Sequence, residues 1–145
     1  MDQNLLKSIN STFSNDLIYW YSENKRDLPW RETTDPYKIW LSEIILQQTK
    51  VKQGLPYYLR FIKNFPNVEA LSSVSENDIL KMWEGLGYYS RARNLYKTAT
   101  IVTRDLNGSF PVKYSELIKL PGIGDYSASA ISSFSSNEVV SVVDG

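Results

Sequence analysis

The stretch Leu120-Pro-Gly-Ile-Gly-Asp-Tyr-Ser-Ala-Ser-Ala-Ile131 decides how the rest of the chain is read. Pro121 and Gly122 stop a helix that carries Leu117, Ile118 and Leu120. Gly124 lets the backbone turn, because a residue without Cβ takes positive φ without penalty. A second helix then starts at Asp125 or Tyr126 and runs through Ala128, Ala130 and Ile131. Its small residues, Ala128, Ser129, Ala130, Ser132 and Ser133, let it lie close against a neighbour. The amides around Gly122-Ile123-Gly124 have no intrahelical partner, and a helix N-terminus of that kind is an anion site. A phosphate of a nucleic-acid backbone is the natural ligand. An αα-corner between two packed helices is the other reading, and the turn alone leaves both open.

Working outward, composition narrows the chemistry. A chain of 145 residues suits one domain with a real core. Hydrophobic content of 42% and charged content of 22% are those of a soluble globular protein. No apolar run is long enough to span a membrane, and Met1-Asp-Gln-Asn carries no basic signal-peptide region, so a cytoplasmic location is expected. The absence of Cys excludes disulfides, thiolate metal sites and cysteine nucleophiles. The absence of His excludes the usual zinc sites and Ser-His hydrolases, leaving acid–base work to Asp, Glu, Lys or Tyr. A net charge of +0 lacks the usual basic footprint of a nucleic-acid binder. Local clusters remain, as at Arg91, Arg93 and Lys97. Ten Tyr residues suit wet interfaces and base stacking.

Taken in order, the chain reads as helices. Leu5 to Glu23 carries Leu5, Ile9, Phe13, Leu17, Trp20 and Tyr21 roughly on one stripe. Lys25 to Thr34 is an aromatic, basic loop. Asp35-Pro36 reads as N-cap and first helical residue of a helix from Tyr37 to about Thr49. Val51 to Phe65 is a further helix, with Pro56 bending or splitting it. Val68 to Leu71 is a short turn, and Ser75-Glu-Asn-Asp78 has the form of a capping box opening a helix to Trp83. Gly85-Leu-Gly87 breaks the chain before a helix from Tyr88 to Leu106, and Tyr114 to Leu120 leads into the hairpin. Val139 to Val143 reads as an extended crossing segment. The class is all-α. The pattern Gly-apolar-Gly-x-Tyr-Ser occurs twice, at Gly85–Ser90 and Gly122–Ser127, which suggests two hairpins meeting one polymer at two places.

Two carboxylates stand out. Glu43 has Ile39, Trp40 and Leu46 as its helical neighbours and no Lys or Arg three or four residues away. On a helix apolar nearly all round, burial raises a carboxyl pKa and suits it to act as a general acid. A cap or a pairing with a distant Arg is the competing role. Asp144 follows the apolar Val139–Val143 segment, where a carboxylate is held rigidly or simply ends an Asp-Gly turn. Two carboxylates in separate environments are the equipment for cleaving a glycosidic bond.

Several motifs together resemble one family. Leu28-Pro-Trp-Arg31, Trp40-Leu-Ser-Glu-Ile-Ile-Leu-Gln-Gln-Thr49, Gly85-Leu-Gly-Tyr-Tyr-Ser-Arg-Ala-Arg-Asn-Leu95, Leu120-Pro-Gly-Ile-Gly124 and Val143-Asp-Gly145 look like those of the MutY adenine DNA glycosylases, of the helix-hairpin-helix superfamily. The resemblance implies a six-helix barrel over residues 30–138, with the hairpin at 117–133. Residues 1–29 would belong to a second helical domain, and 139–145 would form a crossing segment carrying the catalytic Asp. It implies removal of adenine mispaired with 8-oxoguanine or guanine in double-stranded DNA, releasing free adenine. Glu43 falls on the acid that protonates adenine N7, Asp144 on the carboxylate that stabilises the sugar cation, and Tyr126 beside that Asp. Arg26, Trp30, Arg31 and Leu46 fall in the pocket for the flipped base. Gln48, Thr49, Leu86, Tyr88, Arg91, Gly122 and Gly124 fall on DNA contacts, with Tyr88 as the wedge and the hairpin amides on a phosphate.

Tyr126 also bears on the reaction class. Related endonuclease III enzymes carry a Lys there, which attacks the sugar, so a Tyr implies a monofunctional glycosylase. Family members carry a [4Fe-4S] cluster on four Cys beyond the region matched here, and often a monovalent cation on the hairpin carbonyls. The expectation is therefore a fragment without cofactor and weakly active. A non-catalytic hairpin module that only binds DNA is the alternative function, and a sibling glycosylase for another base is a third.

Overall fold

The structure is a computed structural model that describes residues 28–136. The expected helix Leu5–Glu23, the Val139–Val143 segment, Arg26 and Asp144 lie outside the described residues. The chain divides into two compact units, residues 1–32 and 33–145. In the first, Pro29–Arg31 form a single 3-10 turn closed by Arg31 N–H donating to Leu28 O at 2.9 Å.

The second unit is helical, and no strand occurs among the described residues. Its elements are α1 (Pro36–Leu46), α2 (Val51–Asn64), α3 (Val68–Ser72), α4 (Glu76–Met82), α5 (Ser90–Asp105), α6 (Tyr114–Leu117) and α7 (Asp125–Ser136). The local signals that start these helices act as expected. Asp35 Oδ1 accepts from Tyr37 N–H at 3.0 Å, with Pro36 opening α1. Ser75 and Asp78 form a reciprocal capping box, Asp78 N–H to Ser75 Oγ at 3.1 Å and Ser75 N–H to Asp78 Oδ2 at 3.2 Å. Those hydrogen bonds hold the Asp78 carboxyl below its ordinary pKa.

Two expectations are corrected. The first concerns α1, which ends at Leu46 rather than Thr49, because Gln47 turns to a ψ of 117° and Gln48 to a φ of 57°. The second concerns Pro56, which does not split α2. It is exposed, so water can serve the carbonyl that its missing N–H would have met.

The core gathers on α1 and α5. Trp40, Leu41 and Ile45 of α1 are fully buried, as are Leu95, Ala99 and Val102 of α5, with Phe61, Leu71, Ile79, Trp83, Leu117 and Ile131 between them. Helix α1 packs on α2, α5 and α7, while α5 also holds α3 and α4. Aromatic rings fill the space: Trp40 lies 4.9 Å from Phe110, and Phe61 meets Trp83 edge-on at 6.0 Å. Tyr37 seals the end of α2 by donating its hydroxyl to Phe65 O at 2.7 Å, and burial pushes its pKa far above the ordinary range.

Helix α7 lies against α1 because its side chains are small. Ser127 through Ser132 are all buried, six consecutive residues. Five of the six are Ser or Ala, whose small side chains let neighbouring elements approach closely, and Ile131 is the one large side chain among them.

Candidate active site

Glu43 stands in the third turn of α1. It is half-buried rather than buried, although Ile39, Trp40, Ile44 and Ile45 around it are inside the core. One turn later Gln47 N–H donates to Glu43 O at 3.2 Å, and the Gln47 side chain donates Nε2–H to Ser127 Oγ at 3.1 Å. That bond joins the end of the acid-bearing helix to the first turn of α7, next to Tyr126, which is exposed. Leu46 is half-buried at the end of α1. Trp30 and Arg31 belong to the other compact unit, half-buried and exposed respectively.

The hairpin forms as its sequence dictates. Leu120 N–H donates to Leu117 O at 3.0 Å and Ile123 N–H to Leu120 O at 3.2 Å, tightening the chain into the turn. Gly122 adopts a φ of 78°, and an added Cβ there would lie 2.9 Å from Asn94 Cβ. Ile123 is buried and pins the loop, while Gly122 and Gly124 face solvent. Gly124 O accepts from Ala128 N–H at 2.9 Å, so α7 begins with its first amides aimed outward. Thr98 of α5, fully buried, donates its hydroxyl to Pro121 O at 2.8 Å and anchors the turn from beneath. At the same helix start the Tyr114 hydroxyl donates to the Asp125 carboxylate, which raises the Tyr114 pKa.

The second Gly-apolar-Gly segment is not a repeat of this hairpin. Gly85 (φ 96°), Gly87 (φ 74°) and Tyr88 (φ 48°) are all left-handed, and the helix begins two residues later in the pattern, at Ser90. The result is an exposed bulge that presents Tyr88, 65% accessible, to solvent. Trp83 Nε1–H donates to Gly87 O at 3.0 Å, Gln53 Nε2–H to Gly85 O at 3.2 Å and Tyr57 OH to Glu84 O. Leu86 is buried under the bulge rather than on the surface. Gln48 is exposed beside half-buried Thr49 at the end of α1.

Arg91 differs most from expectation. The sequence suggests a basic cluster with Arg93 and Lys97, but the Arg91 side chain is turned inward. It donates to the carbonyls of Ile44, Ile45, Gln47, Leu86 and Gly87. Burial lowers its pKa. Arg93 is exposed and pairs loosely with Glu76 at 3.9 Å, and Lys97 is exposed, so the three do not form one patch. The bonds from Gln47, Thr98, Gln53 and Tyr57 had no local signal in the sequence. Each crosses between elements far apart in the chain.

Among the described residues, no cluster of His, Cys, Asp or Glu is placed to hold a metal ion. With neither Cys nor His in its 145 residues, the sequence does not supply the ligands of an iron–sulfur cluster. No helix among the described residues is long and apolar enough to cross a membrane.

A helical unit whose hairpin offers amides beside a carboxylate-bearing helix defines a class, and comparison with known proteins agrees. Residues 41–145 match the HhH-GPD superfamily base excision DNA repair proteins, and the chain belongs to that family. Within it, the chain is similar to adenine DNA glycosylases. It is 51% identical over 134 residues to that of Buchnera aphidicola subsp. Baizongia pistaciae, covering 92% of this chain and 38% of the relative. It is 40% identical to the adenine DNA glycosylase of Mus musculus over 144 residues, covering 93% of this chain and 28% of the relative. The chain thus spans little more than a third of such relatives at most.

Among solved structures, a thermostable thymine-DNA glycosylase superposes with a TM-score of 0.76 at 26% identity, covering 96% of this chain and 64% of that one. An endonuclease III–DNA complex superposes with a TM-score of 0.66 at 20% identity, covering 85% and 60%, and shares the fold.

Proposed function

We propose that this chain carries the catalytic portion of an adenine DNA glycosylase acting on A:8-oxoguanine or A:G mispairs in double-stranded DNA. The observation that carries the reading is the 51% identity to an adenine DNA glycosylase across 92% of the chain. The Gln47–Ser127 bond that ties the acid-bearing helix to the hairpin supports it.

Adenine within a duplex is out of reach and must be flipped out, at a cost of a few kcal/mol. Tyr88 wedges beside the lesion base, Gln48 fills the space left by the adenine, and Thr49 lines the entry. The amides of Gly122 and Gly124 hold a backbone phosphate against the dipole of α7. In this reading, contacts to the flipped base fall to Arg26, Trp30, Arg31 and Leu46. Neutral adenine leaves poorly, so Glu43 donates a proton to N7. The C1′–N9 bond breaks with its electron pair going to the base, and Asp144 stabilises the sugar cation. Water then adds to C1′ and loses a proton, giving an abasic site and free adenine. Tyr126 offers no amine for attack on the sugar, so no strand-cleaving lyase step follows.

A single-turnover assay tests this. Excess protein is mixed with a duplex holding one A:8-oxoguanine pair, and abasic sites are cleaved with alkali. Glu43→Gln is expected to slow base release by about 100-fold or more, the usual worth of a general acid, while DNA affinity stays within about twofold. Unchanged release in Glu43→Gln would refute the assignment. DNA binding without any release by the unaltered protein would favour a non-catalytic DNA-binding module.

A further inference from the structure

Among the described residues, one guanidinium donates to five backbone carbonyls. Arg91 lies in the first turn of α5 yet is only 7% exposed. Its Nη1 donates to Ile44 O at 3.1 Å, Ile45 O at 2.9 Å and Gln47 O. Its Nη2 donates to Leu86 O and Gly87 O, both at 3.3 Å. The Trp83 ring lies 5.0 Å from the guanidinium carbon and the Tyr88 ring 5.8 Å.

Two of these carbonyls have a special place. The Gln47 carbonyl belongs to the peptide unit that leads into Gln48, and the Gly87 carbonyl to the unit that leads into Tyr88. Gln48 (φ 57°) and Tyr88 (φ 48°) are, with Asn107, the non-glycine residues with positive φ among the described residues. That conformation is unfavourable for any residue with a Cβ and persists only where the surroundings impose it. One buried side chain therefore grips the peptide just before each of two strained, exposed residues that come from opposite ends of separate loops.

We propose that Arg91 is a positioning residue: its guanidinium clamps the Gln47 and Gly87 peptides, so that Gln48 and Tyr88 meet the duplex as one preorganised pair. This rests on the reading that these two side chains enter the helix. The Nη groups are taken up by five carbonyls, and Nε is buried, so the group acts through the backbone and not on a phosphate. The requirement is for a planar fork that reaches two loops at once. Lysine keeps the charge but concentrates its donors at one point and cannot span both.

The test uses Arg91→Lys and a duplex with 2-aminopurine in place of the target adenine, whose fluorescence rises on unstacking. Arg91→Lys is expected to reduce unstacking at saturating protein by about tenfold or more, since small misplacements are costly, with affinity by anisotropy within about threefold. In a Gln48→Ala, Tyr88→Ala background, adding Arg91→Lys should cause no further loss. An equal loss in both backgrounds, or full unstacking by Arg91→Lys, would overturn the proposal.

A thermal measurement decides the clamp without DNA. The fall in Tm caused by Arg91→Lys should shrink when Gln48 and Tyr88 are both Gly, which takes positive φ freely. The same fall in both backgrounds, or failure of Arg91→Lys to fold even with the two glycines, also overturns it. If the unaltered protein does not unstack 2-aminopurine, the reading of Gln48 and Tyr88 fails, while the thermal cycle still decides whether Arg91 clamps the two peptides.

Discussion

Removing the Thr98 hydroxyl is the sharpest probe of how the hairpin is held. Thr98 is fully buried and donates to Pro121 O at 2.8 Å, directly before the left-handed Gly122. Thr98→Val keeps the shape and deletes the donor, leaving the Pro121 carbonyl without it. A neutral hydrogen bond is worth about 1 kcal/mol net, and an orphaned buried acceptor costs about 1–3 kcal/mol. Pro121 is only half-buried and Gly122 is exposed, so water reaches that carbonyl and the lower part of the range applies, about 1–2 kcal/mol. For a domain of this size that is a fall in Tm of roughly 3–8 °C.

Thr98→Ser keeps the donor and loses one buried methyl, about 1 kcal/mol. The two variants therefore lose similar stability for different reasons, and function separates them. Only Thr98→Val frees the turn that aims the Gly122–Gly124 amides, so it should weaken duplex affinity by several-fold while Thr98→Ser binds as the unaltered protein does. Circular dichroism melts and fluorescence anisotropy measure the two quantities. A Thr98→Val protein as stable as the original, or a Thr98→Ser protein that binds DNA worse than Thr98→Val, would refute the reasoning.

Two further outcomes follow from the hairpin and the core. Gly122→Ala combines a positive φ of 78° with a Cβ at 2.9 Å from Asn94 Cβ, and should cost about 2–4 kcal/mol from strain and overpacking. Gly124→Ala meets nothing within 4 Å and should cost less than about 1 kcal/mol, since alanine caps a helix less well than glycine; equal midpoints in denaturant would contradict this. At alkaline pH, burial raises Tyr37 well above its ordinary value of 10.0 and Tyr58 to about 12. Both bind a proton more tightly folded than unfolded. Their contribution is full below pH 10.0 and is lost as pH rises through the folded values. Denaturant midpoints should fall over that window, and Tyr37→Phe should flatten the fall.

Much of the helical frame was legible because its signals are local. Asp35-Pro36 and the Ser75–Asp78 box act through bonds within a few residues, and the two glycine breaks are marked by the glycines themselves. The end of α1 was not legible, because nothing in Gln47-Gln48-Thr49 announces that a glutamine will take a left-handed conformation. The residue before it bonds to distant parts of the chain, Gln47 O accepting from Arg91 and Gln47 Nε2 donating to Ser127. The inward direction of Arg91 was hidden for a different reason. Its proximity to Arg93 and Lys97 suggested a basic patch, whereas helical spacing places it on the stripe of Leu95, Ala99 and Val102, all buried. Periodicity, applied to a charged residue as to an apolar one, would have predicted its inward direction. Glu43 was located on the right helix among the right apolar neighbours, but its half-exposure depends on what packs across from it, which a single helix does not record.

The enclosed helix α7 has a consequence for how this protein can vary. Most helices keep one face in water, and drift accumulates there at little cost. From Ser127 to Ser132 no such face exists. A larger residue at any of those six positions must push against whichever neighbour covers it, α1 and α6 among them. Mutational tolerance should therefore drop to near zero across a contiguous block of codons rather than alternate with the helical turn. A deep mutational scan would show that block as an unbroken band of intolerance, one immediately following the exposed Tyr126.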